Sequence, residues 1–216
     1  MQAYAWIKLR KVYAGKPWLD SELVSIEMPS GSDVASKHLE IDGWSINVPA
    51  DISFNQKEEG TVSLQGNERS ISWNEQNTDQ IRYLPLFTDA QLRAIFVEPI
   101  PANEFEIISR VLGATSHKMS PFDSAGMITN AAMMLTLKLW IIFPCGRDGI
   151  YRFSAAEIKG FQFGKTQGAQ KCIVLTSFRG NQRQPDLMLW DTGAQQKFTQ
   201  EEIGLIVQSF KKISPN

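Results

Sequence analysis

Histidine and cysteine are scarce in this chain, with two of each among 216 residues. That shortage leaves little material for a zinc site or for imidazole acid–base chemistry. No apolar run reaches the roughly 20 residues of a membrane-spanning helix. The nearest, Met127 to Phe143, is interrupted by Thr129, Asn130, Thr136 and Lys138. Met-Gln-Ala-Tyr-Ala-Trp-Ile-Lys at the start holds no apolar stretch of signal-peptide length, so a cytoplasmic location is expected. Fifteen glycines and ten prolines are too few for collagen or low-complexity sequence, and a net charge of −1 with 43% hydrophobic residues excludes dominant disorder. Without a basic excess, general nucleic-acid binding is not expected either.

Cys145 and Cys172 are separated by 27 positions and form no Cys-x-x-Cys pair. Both lie in apolar surroundings (Ile-Ile-Phe-Pro-Cys145 and Lys-Cys172-Ile-Val-Leu), which reads as two inert buried thiols rather than a disulfide or a metal pair. Charge is unevenly spread. Residues 1–19 carry +4, residues 20–60 carry −7, and the remainder +2. The acidic stretch contains Glu40, Asp42, Asp51, Glu58 and Glu59, which can steer a basic partner at moderate salt.

Tyr4 to Tyr13 mixes basic and aromatic residues and reads as a terminal element whose Lys and Arg heads snorkel over apolar surface. Period-two alternation marks strands at Val24–Met28 and Trp44–Val48, the second closed by Pro49, with Leu39 and Ile41 in the same sheet. Val62–Leu64 and Ile71–Trp73 flank Gly66-Asn67, a turn pair suited to primed hairpin geometry. Asn74 to Arg82 reads as a loop. Helix signals follow. Thr88-Asp-Ala-Gln91 is a capping pattern. Pro101 opens a helix through Phe105, Ile108 and Leu112 to a stop at Gly113, and Ser120-Pro-Phe-Asp123 caps another bearing Ile128, Ala131, Ala132 and Leu135 on one face. Met127, Met133 and Met134 read as core filling.

From Leu139 the pattern returns to short β-branched and aromatic runs: 139–143, 150–153, 158–163, 172–178 and 187–190. A capping box at Thr199-Gln-Glu-Glu202 then starts a helix with Ile203, Ile206, Val207 and Phe210 along one side. Segregated strands and helices predict an α+β fold: a twisted antiparallel sheet of about 6–9 strands with helices packed against it. Residues 1–36 are expected as an N-terminal extension packed on a single domain spanning 37–216.

Chemical motifs are sparse. Gly160-Phe-Gln-Phe-Gly164-Lys165-Thr166 is one residue short of a phosphate-binding loop and reads as a strand ending in a turn. His38, Glu40 and Asp42 would share a strand face but supply too few nitrogen or sulfur ligands for zinc. His117 with Asp123 is the one acid–base pair a small hydrolase could use, although no Gly-x-Ser-x-Gly elbow accompanies it. Asp186 and Asp191 read as strand-end solvation. Trp73, Trp140 and Trp190 are the aromatics whose exposure would mark a partner surface.

Gly43-Trp-Ser-Ile-Asn-Val-Pro49, the Val62–Trp73 hairpin and Glu202-Ile-Gly-Leu-Ile-Val-Gln-Ser-Phe210 resemble the Mog1/PsbP-like group over residues 37–213 by element order. Helical sequence at 88–137 is more extensive than in that group. The resemblance implies a small sandwich-like α+β domain, and members that are generally non-enzymatic and bind other proteins, bacterial secretion accessories among them. It assigns no site residue. The expectation is therefore a non-enzymatic, bacterial, cytoplasmic binder of another protein. It would act as an adaptor, a secretion-associated chaperone or a toxin-immunity protein through Glu40, Asp42, Asp51, Glu58 and Glu59, with no cofactor or metal and no nucleic-acid or membrane partner. The alternatives are a hydrolase using His117 and Asp123, and a carrier of an apolar ligand held between the sheet and the Met-rich helix.

Overall fold

A computed structural model describes residues 16–74, 93, 95–96, 101–115, 124–142, 144–167, 171–193 and 198–213. The arm at 4–13, the capping pattern at 88–91, most of the 74–82 loop and the His117/Asp123 pair lie outside the described residues. No helix is long and apolar enough to cross a membrane among the described residues.

Twelve described strands run β1 (Leu23–Glu27), β2 (Ser36–Ile41), β3 (Trp44–Pro49), β4 (Ser53–Glu58), β5 (Thr61–Gln65), β6 (Arg69–Asn74), β7 (Ile150–Ala155), β8 (Ile158–Phe163), β9 (Cys172–Arg179), β10 (Gln182–Arg183), β11 (Leu187–Asp191) and β12 (Lys211–Lys212). Three longer helices accompany them: α1 (Glu104–Leu112), α2 (Ala125–Ile141) and α3 (Gln200–Ser209), with 3-10 turns η1 (Pro17–Asp20) and η2 (Pro144–Arg147). Nine strands form one sheet in the order β1-β7-β8-β9-β11-β6-β5-β4, with β10 hanging on β9, and β12-β3-β2 form a second. The fold is α+β. The large sheet is mixed rather than purely antiparallel, because β1 joins its edge parallel to β7. Leu23–Glu27 thus belongs to the main sheet.

Alternation along the strands decides what each sheet face meets. On one face Val62, Leu64, Ile71, Trp73, Ile173, Leu175 and Leu189 pack against Ile203, Ile206, Val207 and Phe210 of α3, and against Trp44, Ile46 and Val48 of β3. Phe210 stacks on Trp44 at 4.8 Å between ring centroids and meets Trp73 edge-on at 5.3 Å. Helix α3 starts where its sequence says: Thr199 accepts from the Glu202 amide, and the Glu202 carboxylate accepts in return. Its internal Gly204 costs helix stability but lets the Pro29 carbonyl approach where a Cβ would stand.

The opposite face carries Phe161, Phe163, Val174 and Phe178, covered by Ile108 and Leu112 of α1 and by Cys145. Phe105 stacks on Phe161 at 5.0 Å. Helix α2 is layered farther out. Its Leu135 meets Leu19, and Leu137, with Met133 and Met134 beside it, meets Val111, Ile95 and Phe96. Met127 is exposed, so core filling holds for Met133 and Met134 alone.

Four local expectations need correction. Residues 139–141 continue α2 instead of starting a strand; an unbroken apolar run has no period to separate the two. The N-cap of α2 is Ser124, which accepts from the Met127 amide, not Ser120. In the β5–β6 turn the left-handed residue is Glu68 (φ 58°), not Gly66. Gly66 is needed for space, since a Cβ there would lie 2.6 Å from Asp51 Oδ2. Finally, Cys145 and Cys172 are joined in a disulfide with their Cα atoms 5.4 Å apart. η2 folds back beside β8 and β9, a tertiary proximity that apolar flanking residues cannot announce.

Candidate functional site

Two clusters among the described residues pair buried arginines with carboxylates. Arg69, buried at the start of β6, donates from Nε to Asp51 Oδ2 at 3.0 Å and from Nη1 to both Glu202 oxygens at 2.9 Å. Its guanidinium also lies 5.1 Å from the Phe198 ring centroid. Burial alone would lower the Arg69 pKa; the hydrogen bonds it donates to Asp51 and Glu202 outweigh it and raise it. The Arg69 hydrogen bond in turn holds the Asp51 carboxyl below its ordinary range. In the second cluster Arg183 donates to Glu104 at 2.7 Å and to both Asp186 oxygens at 3.1 Å, while Thr176 donates to Asp186 at 2.8 Å. Asp186 and Asp191 are therefore buried rather than strand-end solvation. Both clusters bind elements together: Arg69 joins the β3–β4 turn to α3, and Arg183 joins α1 to the β10–β11 segment.

The five acidic candidates separate accordingly. Asp51 faces Arg69 and is occupied internally. Asp42, in the β2–β3 turn at φ 51°, pairs with Lys57 at 2.8 Å. Glu40 pairs with His38 at 3.3 Å, and His38 also bonds Asn47 at 2.9 Å, contacts that raise the exposed imidazole's pKa, Asn47 first and Glu40 second. With Asp42 turned toward Lys57, His38, Glu40 and Asp42 do not converge; among the described residues no cluster of His, Cys, Asp or Glu could hold a metal. Glu58 and Glu59 remain on the surface at the β4–β5 turn, where Glu59 adopts φ 46° ahead of Gly60.

Every residue of β4 is exposed, and β4 is the outer strand of the large sheet. Beside it a shallow depression of about 570 Å³ is lined by Gln56, Glu58, Glu59, Thr61, Ser63 and Asn74. The register places Glu58 opposite Thr61, Ser63 opposite Ser72, Ser72 opposite Met188, and Ser70 opposite Trp190. Alternation then puts Glu58, Thr61, Ser63, Ser70, Ser72, Met188 and Trp190 on one face. It is the face opposite α3. Trp190 is 45% exposed, as is Trp140 on α2, whereas Trp73 is buried.

A second depression, about 420 Å³, opens near the other edge of the sheet. Ile26, Tyr151 and Gln162 form its floor, and Lys165, Thr166, Gln167 and Gln200 its walls. Gln200 donates to Gln162 at 2.9 Å, and Gln162 donates to the Gly164 carbonyl at 3.1 Å. Burial first, and the nearby Asp148 charge second, raise the Tyr151 pKa. Sequence reading passed over this groove. Its one available signal was Gln162, a polar residue between two phenylalanines. Gly160–Gly164 does end a strand in a turn as expected, yet Lys165 and Thr166 after it line the groove.

Comparison with protein-family models, curated proteins and solved structures finds no match to this chain. What the molecule does must be argued from these surfaces.

Proposed function

We propose that this is a non-enzymatic protein that binds another protein through the open face at the β4 edge. The single observation that carries the reading is the placement of Trp190 and Glu58 on one face of the sheet, both exposed. An exposed tryptophan within a polar, hydroxyl-rich surround is the residue type that most often anchors a protein interface. Glu58 and Glu59, three strands away at the β4–β5 turn, supply the charge that steers a basic partner. The Mog1/PsbP-like resemblance of residues 37–213 favours the same reading, since members of that group generally bind other proteins. Adaptor, secretion-associated chaperone and toxin-immunity roles in a bacterium all fit this surface.

The compartment in this proposal differs from the cytoplasm suggested by the sequence. A disulfide between two buried cysteines favours surroundings that keep thiols oxidised.

Co-purification from the source cell with wild-type protein, Trp190→Ala and a Glu58→Lys/Glu59→Lys double variant tests the surface. Wild type should retain a stoichiometric protein. Trp190→Ala should weaken its affinity by at least about tenfold, and the double reversal should reduce the association rate and flatten its salt dependence. Unchanged capture of the same protein by both variants rejects this face.

A further inference from the structure

We propose that the groove between α3 and the β1–β7 edge is a ligand site for a monocarboxylate bearing an apolar chain. It lies away from the β4 edge and does not depend on the protein-binding reading. Its volume, about 420 Å³, falls within the range of small-molecule pockets, which combine apolar lining with a few placed polar groups. The floor is already organised. Gln200 Nε2 donates to Gln162 Oε1 at 2.9 Å and contacts Met28 Sδ at 3.3 Å, and Gln162 Nε2 donates to the Gly164 carbonyl. Both amide nitrogens are thus engaged by the protein, and Gln162 is 1% exposed. The ligand meets the remaining lining instead.

That lining is polarised. Lys165, at one wall, is the one formally charged side chain among the described residues that line the groove, with the Thr166 hydroxyl and the Gln167 amide next to it. Together they offer an ammonium and two hydrogen-bond donors, the set that receives a carboxylate. At the floor Ile26 and the Tyr151 ring are apolar. Val24 pairs in register with Tyr151 and is 49% exposed on the same face, which carries the apolar track beyond the groove. The charge of Asp148 reaches Tyr151 and would repel an anion there. One orientation follows: carboxylate against Lys165 and Thr166, chain over Ile26 and Tyr151 toward Val24.

Octanoate, octanamide and two acetylated hexapeptides ending in leucine, one with a free carboxylate and one amidated, are titrated into the full chain and followed by backbone amide NMR. Octanoate or the free-acid peptide should shift the resonances of Lys165, Thr166 and Gln167, and the tighter of the two identifies the source of the carboxylate. Each neutral counterpart should bind at least about tenfold more weakly. Lys165→Met should cause a similar loss for the acids, and Val24→Ser a smaller one. Lys165 is exposed, so Lys165→Met is expected to melt like wild type. No shift at 165–167 with either acid, equal binding of the neutral forms, or full binding by a folded Lys165→Met variant overturns the site.

Discussion

Replacing Arg69 by methionine should lower stability by about 3 kcal/mol, the lower end of the range for breaking a buried ion pair, because Asp51 is still one-quarter exposed. In a chain of this length that corresponds to a melting temperature lower by roughly 6–12 °C. Methionine matches much of the volume, so the loss comes from stranding the Asp51 and Glu202 carboxylates rather than from a cavity. A double-mutant cycle separates the two causes. Glu202→Gln in the Arg69→Met background should cost far less than in wild type, with a coupling of about 1 kcal/mol or more; strictly additive losses would show that charge pairing is not the cause.

The same cluster predicts an acid response. Asp51 has its folded pKa depressed, chiefly by the Arg69 hydrogen bond. Its contribution is complete above the ordinary carboxylate range and is lost as pH falls through the depressed value. Denaturant melts between about pH 5 and pH 2 should therefore slope less steeply for Arg69→Met than for wild type. Parallel slopes would remove Asp51 from the acid transition.

Substituting serine for both Cys145 and Cys172 should cost about 3.5 kcal/mol, the chain-entropy value for a closed loop of this size. The bond fastens η2 to β9 beneath Phe163 and Val174, so its loss also loosens the cover of that face. Two readouts check it. Denatured but unreduced protein should titrate no free thiol, and the double variant should melt roughly 7–14 °C lower. Two reactive thiols, or an unchanged melt, would remove the bond from the stability of the fold.

Short, strictly alternating segments were readable before any fold was known. Trp44, Ile46 and Val48 could face only one way once the strand formed, and the box at Thr199–Glu202 contained its own start signal. Where residues were ambiguous in period, reading failed: 139–141 are apolar on every side, and helix and strand bury such a run equally well. Polar residues misled for a related reason. Asp51, Asp186 and Asp191 look solvated in a one-dimensional pattern, because the groups that donate to them lie elsewhere in the chain or across a turn: Arg69 is 18 residues from Asp51, Thr176 10 residues from Asp186, and the Gly193 amide across a turn from Asp191.

Local order was thus set in part by the chain itself, although β4 has no alternation to read and α1 begins after an Asn103 cap rather than at Pro101. What the chain set were the alternating strands such as β3, β5 and β6, the start of α3, and the segregation of strands and helices. Those properties depend on neighbours a few residues away, through side-chain alternation and end-capping hydrogen bonds. Tertiary structure alone decided the parallel docking of β1 on β7, the Cys145–Cys172 bond, the inward turn of Asp51 and the groove around Gln162. Each of these depends on which distant segments share a surface, and that is chosen by burial of the whole core rather than by any local stretch.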